Sequence, residues 1–132
     1  MKSPQFITLS NEIPPYLTSW CKAVAQNTPD TMVDFYADNA ILLGTFDENY
    51  EIGTQGIKEY FVYLFKNNVV TSVEITKNCT QFVNGEVMCS GTYIFKTKGG
   101  DVPARYSFLF CRNPHTQKWK IVNHHSSIPA KK

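Results

Sequence analysis

The sequence predicts one α+β domain, with helices in its first half and a run of antiparallel strands in its second. Three observations carry this. Residues 54–67 hold an apolar stripe at helical spacing, Ile57, Tyr60, Phe61, Leu64 and Phe65. Beyond residue 68 the chain turns rich in β-branched and aromatic residues. Asn84-Gly85 and Gly99-Gly100 then cut that half into hairpin-sized pieces.

Each element follows in order. Residues 1–12 carry no periodic pattern and are expected to form an arm. Pro14 and Pro15 open a helix, where a missing N–H costs nothing. Leu17, Trp20, Cys21 and Val24 follow at i, i+3, i+4 and i+7, one apolar face. Asn27 stops it. Thr28-Pro29-Asp30 starts a short second helix, with Thr28 or Asp30 as its cap and Met32, Val33, Phe35 and Tyr36 as its apolar side. Asp38-Asn39 breaks it. Ala40 to Leu43 reads as a buried strand, and Gly44 to Gly53 as a loop with room for a short extended piece. The third helix runs from Thr54 to Asn67. Four strands follow over 69–83, 86–98, 102–112 and 119–127, with Asn113-Pro114 opening the third turn. The order is α-α-β-α-β-β-β-β, a meander that buries one face against three helices.

The totals bound the function. At 132 residues the chain suits one domain and can bury its own core without a metal or disulfide staple. A net charge of +2 is too small to argue for nucleic acid, and the Lys131-Lys132 pair reads as a solvated tail over 130–132. Aromatics make up 14% of the chain, which calls for a thick core, a lined pocket or a sticky subunit interface. The four cysteines form no CxxC, so zinc and thioredoxin-type sites are not indicated. They are expected as free thiols, with a Cys79–Cys89 bridge across the hairpin as the minor alternative. No stretch approaches the roughly 18 apolar residues of a membrane span. Met1 to Ser10 has no run of signal-peptide length, so a cytoplasmic protein is expected.

Several segments, taken together in this order, are similar to a known superfamily. They are Trp20 in the first helix; Val33-Asp34-Phe35-Tyr36-Ala37-Asp38-Asn39-Ala40-Ile41-Leu42-Leu43; Gly53-Thr54-Gln55-Gly56-Ile57-Lys58-Glu59-Tyr60-Phe61; Ala104-Arg105-Tyr106-Ser107-Phe108; and the ending Trp119-Lys120-Ile121-Val122-Asn123-His124-His125-Ser126-Ser127-Ile128-Pro129. They resemble the nuclear transport factor 2-like superfamily over residues 13–129. Within it they look most like the SnoaL-like, SgcJ/EcaC group and the association domain of calcium/calmodulin-dependent protein kinase II. The resemblance implies a cone, a curved antiparallel sheet wrapped around helices with a cavity at the open end. It also implies homodimers through the outer sheet face, sometimes stacked into rings. It leaves function open, because the superfamily hosts isomerases, cyclases, dehydratases and pure assembly modules.

His124 and His125 are adjacent on a strand, so their side chains point to opposite faces and cannot share a metal. Asn123, His125 and Ser127 share one face, His124 and Ser126 the other. One histidine is expected to face the cavity, as an acid–base group or a donor to an anion, against the plainer reading of a structural hydrogen-bonded histidine. Arg105 stands in an apolar strand. It reads equally as a clamp for a carboxylate or enolate oxygen and as a residue either ion-paired with Asp34, Asp38 or Glu59 or exposed at a sheet edge. Tyr36, Asp38 and Tyr60 lie on or near helices flanking the cavity. The tyrosines would place donors in an apolar pocket, and Asp38 would be a base if desolvated, though a turn suits it better. Tyr93 and Tyr106 read as a cross-strand pair with a core or interface role. The kinase hub strand carries an arginine where this chain has Ser126, so the resemblance does not carry its arginine-rich pocket over intact, and only Arg105 could play a comparable part.

Two functions are expected from this. One is a small-molecule site, using His125, Arg105 and Asp38 for acid–base chemistry and Tyr36, Tyr60, Arg105, Asn123 and His124 for binding a carbonyl or carboxylate ligand, with no cofactor or metal. The other is a homo-oligomerising module without chemistry, with a folded accessory protein whose cavity is filled by side chains as a third option.

Overall fold

The computed structural model describes residues 7–131. The first six residues of the expected arm, and Lys132 of the expected tail, lie outside the described residues. Within the arm, Ile7–Ser10 forms an edge strand, β1. Three helices follow the predicted order, α1 (Pro15–Val24), α2 (Pro29–Val33) and α3 (Gly53–Asn67). The strands are β2 (Tyr36–Leu43), β3 (Glu51–Ile52), β4 (Val70–Val83), β5 (Glu86–Thr97), β6 (Gly100–Arg112) and β7 (Trp119–Ser127). They make one curved, unclosed sheet in the order β1-β4-β5-β6-β7-β2-β3. Neighbours run antiparallel except β2 and β7, which pair in parallel.

Helix α1 buries Leu17, Trp20, Cys21 and Val24, the predicted stripe. Asn27 ends the turn after it at φ 56, a left-handed conformation that asparagine tolerates. Its amide donates to Val70 O at 2.8 Å and accepts from Val70 N at 2.9 Å, so the stop signal also stitches the helix end to β4. Helix α3 buries the predicted Ile57, Tyr60, Phe61, Leu64 and Phe65. Helix α2 is shorter than expected. It ends at Val33, and Tyr36 opens β2 rather than completing the helix. The reason is long-range: Phe35 O accepts from Ile121 N at 2.8 Å and Tyr36 pairs with Ile121, so β7 draws this segment into the sheet. Asp38 accordingly lies on a strand, not after a helix.

The hairpins follow their turn residues. Asn84 and Gly85 sit at φ 50 and 79, as a two-residue primed turn requires. At the second turn only Gly100 is left-handed, at φ 125. At the third, Asn113 Oδ1 accepts from the backbone N–H of His115 and Thr116. Register shifts within β4 at Ile75/Lys77 and between β6 and β7 at Leu109/Phe110 bend the strands. Cys79 pairs with Ser90 while Cys89 pairs with Thr80. Adjacent positions face opposite ways, so Cys79 is exposed, Cys89 is buried, and all four cysteines are free thiols.

The concave side is packed with rings. Trp20 meets Phe108 edge-on at 5.0 Å and lies parallel to Tyr93 at 6.0 Å. Tyr93 and Tyr106 meet at 4.7 Å, a diagonal core pair. Gly91 makes this packing possible. A Cβ there would stand 2.0 Å from Lys77 O and 2.7 Å from the Tyr106 hydroxyl. That hydroxyl donates to Asn78 Oδ1 at 2.8 Å, tying β6 across β5 to β4.

Gly91→Ala should therefore cost about 1–3 kcal/mol in urea unfolding, the range for forcing atoms into a filled site. Gly99→Ala, with only Thr97 Oγ1 near at 3.8 Å, should stay within about 0.5 kcal/mol of wild type. Equal stabilities would refute the close approach at Gly91.

Candidate functional site

The polar residues divide between two faces because β7 alternates. His124 and Ser126 are 2% and 5% exposed and face the core. Asn123 and His125 are exposed on the outer face. On β6, Tyr106 and Phe108 point inward, leaving Arg105 and Ser107 outward. The structure therefore separates the residues expected in one cavity. Tyr36, Tyr60 and His124 are inside; Arg105, His125, Asn123 and Asp38 are outside.

The interior group is a chain of hydrogen bonds. Trp20 Nε1 can only donate, and it donates to the Tyr36 hydroxyl at 3.2 Å. The Tyr36 proton is then free for His124 Nδ1, 2.9 Å away. The neutral imidazole carries its own proton on Nε2, 3.3 Å from the Tyr93 hydroxyl. Tyr93 donates to Ser126 Oγ at 2.6 Å, and Ser126 lies 2.6 Å from Thr45 Oγ1. This direction gives every proton as far as Ser126 an acceptor. Tyr60 completes the group by donating to Thr45 O at 2.8 Å. Gly44 lets the Tyr60 ring lie against the backbone, since a Cβ would sit 2.3 Å from it.

The electrostatics match this assignment. Burial, and secondarily the neighbouring His125, pulls the His124 pKa down to about 3. Burial pushes the Tyr36 and Tyr93 hydroxyls well above the ordinary tyrosine range, and Tyr60 upward as well. All four groups stay neutral, and their polar atoms serve one another. A void of about 20 Å³ lies among Thr45, Phe46, Tyr60 and Phe95. That is room for one water, against the several hundred Å³ typical of a ligand pocket. Phe46 stands at φ 72, a left-handed conformation unusual for an aromatic residue.

The outer group is built differently. Ser107 pairs with His125 and with Ser90, and Arg105 with Ser127 and Thr92. Among the described residues no carboxylate lies within ion-pair distance of Arg105; the two bridges are Lys58–Asp30 and Lys96–Glu74. Asp38 is an exposed carboxylate on β2, away from both groups. His115 is exposed in its turn, as expected. Among the described residues no cluster of three or more His, Cys, Asp or Glu is placed to hold a metal. No helix among them is long and apolar enough to cross a membrane.

Sequence reasoning missed Tyr93, Ser126 and Thr45 as members of the polar chain. Ser126 had a signal, because alternation puts it on the face of His124. Thr45 had none, since a loop position carries no period.

The family described as the SnoaL-like domain matches residues 13–131. No curated protein matches the chain. Among solved structures, the chain is similar to a protein from Xanthomonas campestris carrying the provisional name of a calcium/calmodulin-dependent protein kinase II association domain. The identity is 25%, the TM-score 0.76, and 92% of this chain and 96% of that one are covered. A Parabacteroides distasonis protein provisionally named a ketosteroid isomerase matches at 15% identity and TM-score 0.69, covering 98% and 95%. A Catenulispora acidiphila protein in complex with S-DNPA matches at 9% identity and TM-score 0.71, covering 86% and 87%. The last two similarities show a shared fold.

The buried imidazole makes stability depend on pH. Histidine titrates near 6.5 when unfolded and about 3 in the fold, so between those values the unfolded chain binds the extra proton. This contribution to stability is full above about pH 6.5 and is lost as pH falls toward about 3. Urea unfolding between pH 7 and 5 should show wild type losing up to about 1.4 kcal/mol per pH unit more than His124→Gln. Parallel profiles for the two proteins would mean the imidazole is not held neutral.

Proposed function

The chain belongs to the SnoaL-like domain family, and on that footing we propose that it is a non-catalytic homo-oligomerising module whose subunits meet through the outer sheet face. The observation that carries this is the make-up of that face. Two adjacent rows cross it, Gln81–Met88–Leu109–Asn123–Ile41–Ile52 and Cys79–Ser90–Ser107–His125–Leu43. Neither contains Lys, Arg, Asp or Glu, and no helix covers them. A sheet face meant for water alternates with charged side chains, whereas the centre of a subunit interface is depleted of them. The filled interior supports the same reading, since its void holds about one water and Tyr36, Tyr93 and His124 are paired with one another. So does the similarity to the Xanthomonas campestris protein named for a kinase association domain. The four free thiols, two of them buried, suit a reducing compartment, so we place the assembly in the cytoplasm.

A second reading is favoured by one observation. Thr45 ends the interior chain, where one proton of the Thr45–Ser126 hydroxyl pair has no acceptor within it, and it lines the void beneath the strained Phe46. Displacing Phe46 would give a carbonyl or carboxylate ligand a donor inside the cone, where acid–base chemistry could follow. The S-DNPA complex shows that a protein of this fold holds a small molecule.

Light scattering at tens of micromolar should report a dimer or larger for wild type and a folded monomer for Leu109→Glu. A wild-type monomer throughout would end the assembly reading. For the second reading, Phe46→Ala should melt higher in the presence of aromatic ketones or small carboxylates than in their absence. A melting point that none of them moves would end that one.

A further inference from the structure

We propose that Arg105, His125, Ser90, Ser107 and Ser127 form a binding site for a small oxyanion, a phosphate or carboxylate, on the outer sheet face. The five line one surface depression of about 320 Å³. The register explains their convergence. Ser107 is flanked by Ser90 on β5 and His125 on β7, and Arg105 by Ser127 on β7. Directly opposed side chains on adjacent strands start about 5 Å apart and diagonal ones about 7–8 Å, so an ion above Ser107 has Ser90 on one side, His125 on the other and the long Arg105 side chain within reach, with Ser127 beside Arg105 at the rim.

Their bonding state separates them from the polar residues of the core. Inside, each side chain from Trp20 to Thr45 has a partner within the chain. Outside, no described side chain pairs with Arg105, His125, Ser90, Ser107 or Ser127. The guanidinium presents five N–H donors in a planar fork, the shape that matches two oxygens of a carboxylate or phosphate. Serine hydroxyls and an imidazole N–H supply further donors around the same spot. No Asp or Glu lines the depression to compete. Glu74, elsewhere on the sheet, is held by Lys96 at 3.7 Å.

The site stands on this geometry and not on the assembly reading. The two are physically linked, however. An arginine carried into a subunit interface without a counter-charge is expensive. A bound oxyanion removes that cost, and so would favour association.

Calorimetric titration of the full chain, in a chloride buffer, with inorganic phosphate in one arm and sodium acetate in the other, tests the proposal. Saturable binding of at least one is expected. Arg105→Gln should bind at least about tenfold more weakly, as loss of a charge-assisted pair implies. Arg105→Lys, which keeps the charge but not the fork, should fall between them. Preference for phosphate assigns a phosphoryl ligand, and preference for acetate a carboxylate one. Binding of neither, or equal binding by Arg105→Gln with an unchanged melting temperature, overturns the site. Light scattering on the same samples keeps the two ideas apart. A monomer that still binds the anion retains the site and loses the assembly, and an oligomer that binds none does the reverse.

Discussion

His124 lies where water does not reach, and the concave side of the sheet is organised around keeping its imidazole neutral. A buried imidazolium would need a counter-charge, and no carboxylate is hydrogen-bonded within that chain. Two tyrosine hydroxyls bracket the ring instead, one on each nitrogen. Trp20 sets the direction, since an indole can only give a proton away. From that one fixed donor, the tautomer of His124 and the orientations of Tyr93 and Ser126 follow in sequence. Such a chain is worth keeping only if complete, because a single missing member leaves a buried donor or acceptor unpaired. Helix α1, strands β2, β5 and β7 and the loop after β2 each supply a member. The chain therefore fixes how these elements sit against one another.

The same completeness bears on function. A ligand pocket keeps some polar groups in reserve for its ligand. Here Tyr36, Tyr93, His124 and Ser126 are spent on each other, and aromatic rings take the volume that a ligand would fill. The same fold holds S-DNPA in the Catenulispora acidiphila protein and is filled with rings in this chain, since what the interior admits depends on a few side chains and not on the strand order. Thr45 and Phe46, at the mouth, are the residues on which the difference turns.

The helical stripes, the proline start of α1 and the Asn84-Gly85 hairpin were legible because each is a local rule acting over a few residues. Tyr36 was misplaced on a helix because nothing local announces β7, eighty residues away, as its partner. Strand β1 was invisible for the same reason, since Ile7–Ser10 owes its form to pairing with β4. The candidate site was half legible. Alternation separated His124 from His125 without structural help. Alternation gives relative facing only, and the absolute assignment passes through the irregularity at Leu109/Phe110, where parity between β6 and β7 is reset. No sequence signal marks that shift. Arg105 and His125 were consequently placed in a cavity with Tyr36, when the sheet itself stands between them.

That barrier decides where this domain can meet other molecules. Its interior imidazole and tyrosine hydroxyls are neutral and paired with one another. Its unpaired donors lie on the convex face, in and beside two rows of Met, Leu, Ile, Ser and other uncharged residues. A face of that composition gains from being covered, because apolar area leaves water and few ions lose their hydration. Arg105 lies in the row next to them, without a carboxylate partner, and its desolvation would oppose covering. An exposed strand position tolerates any polar residue, and serine or threonine would have served at Arg105 as they do at its neighbours. The guanidinium is thus the feature on this face that packing does not require. Whatever settles on the outer sheet has to answer that charge, by bringing an acid of its own or by trapping an anion beneath it.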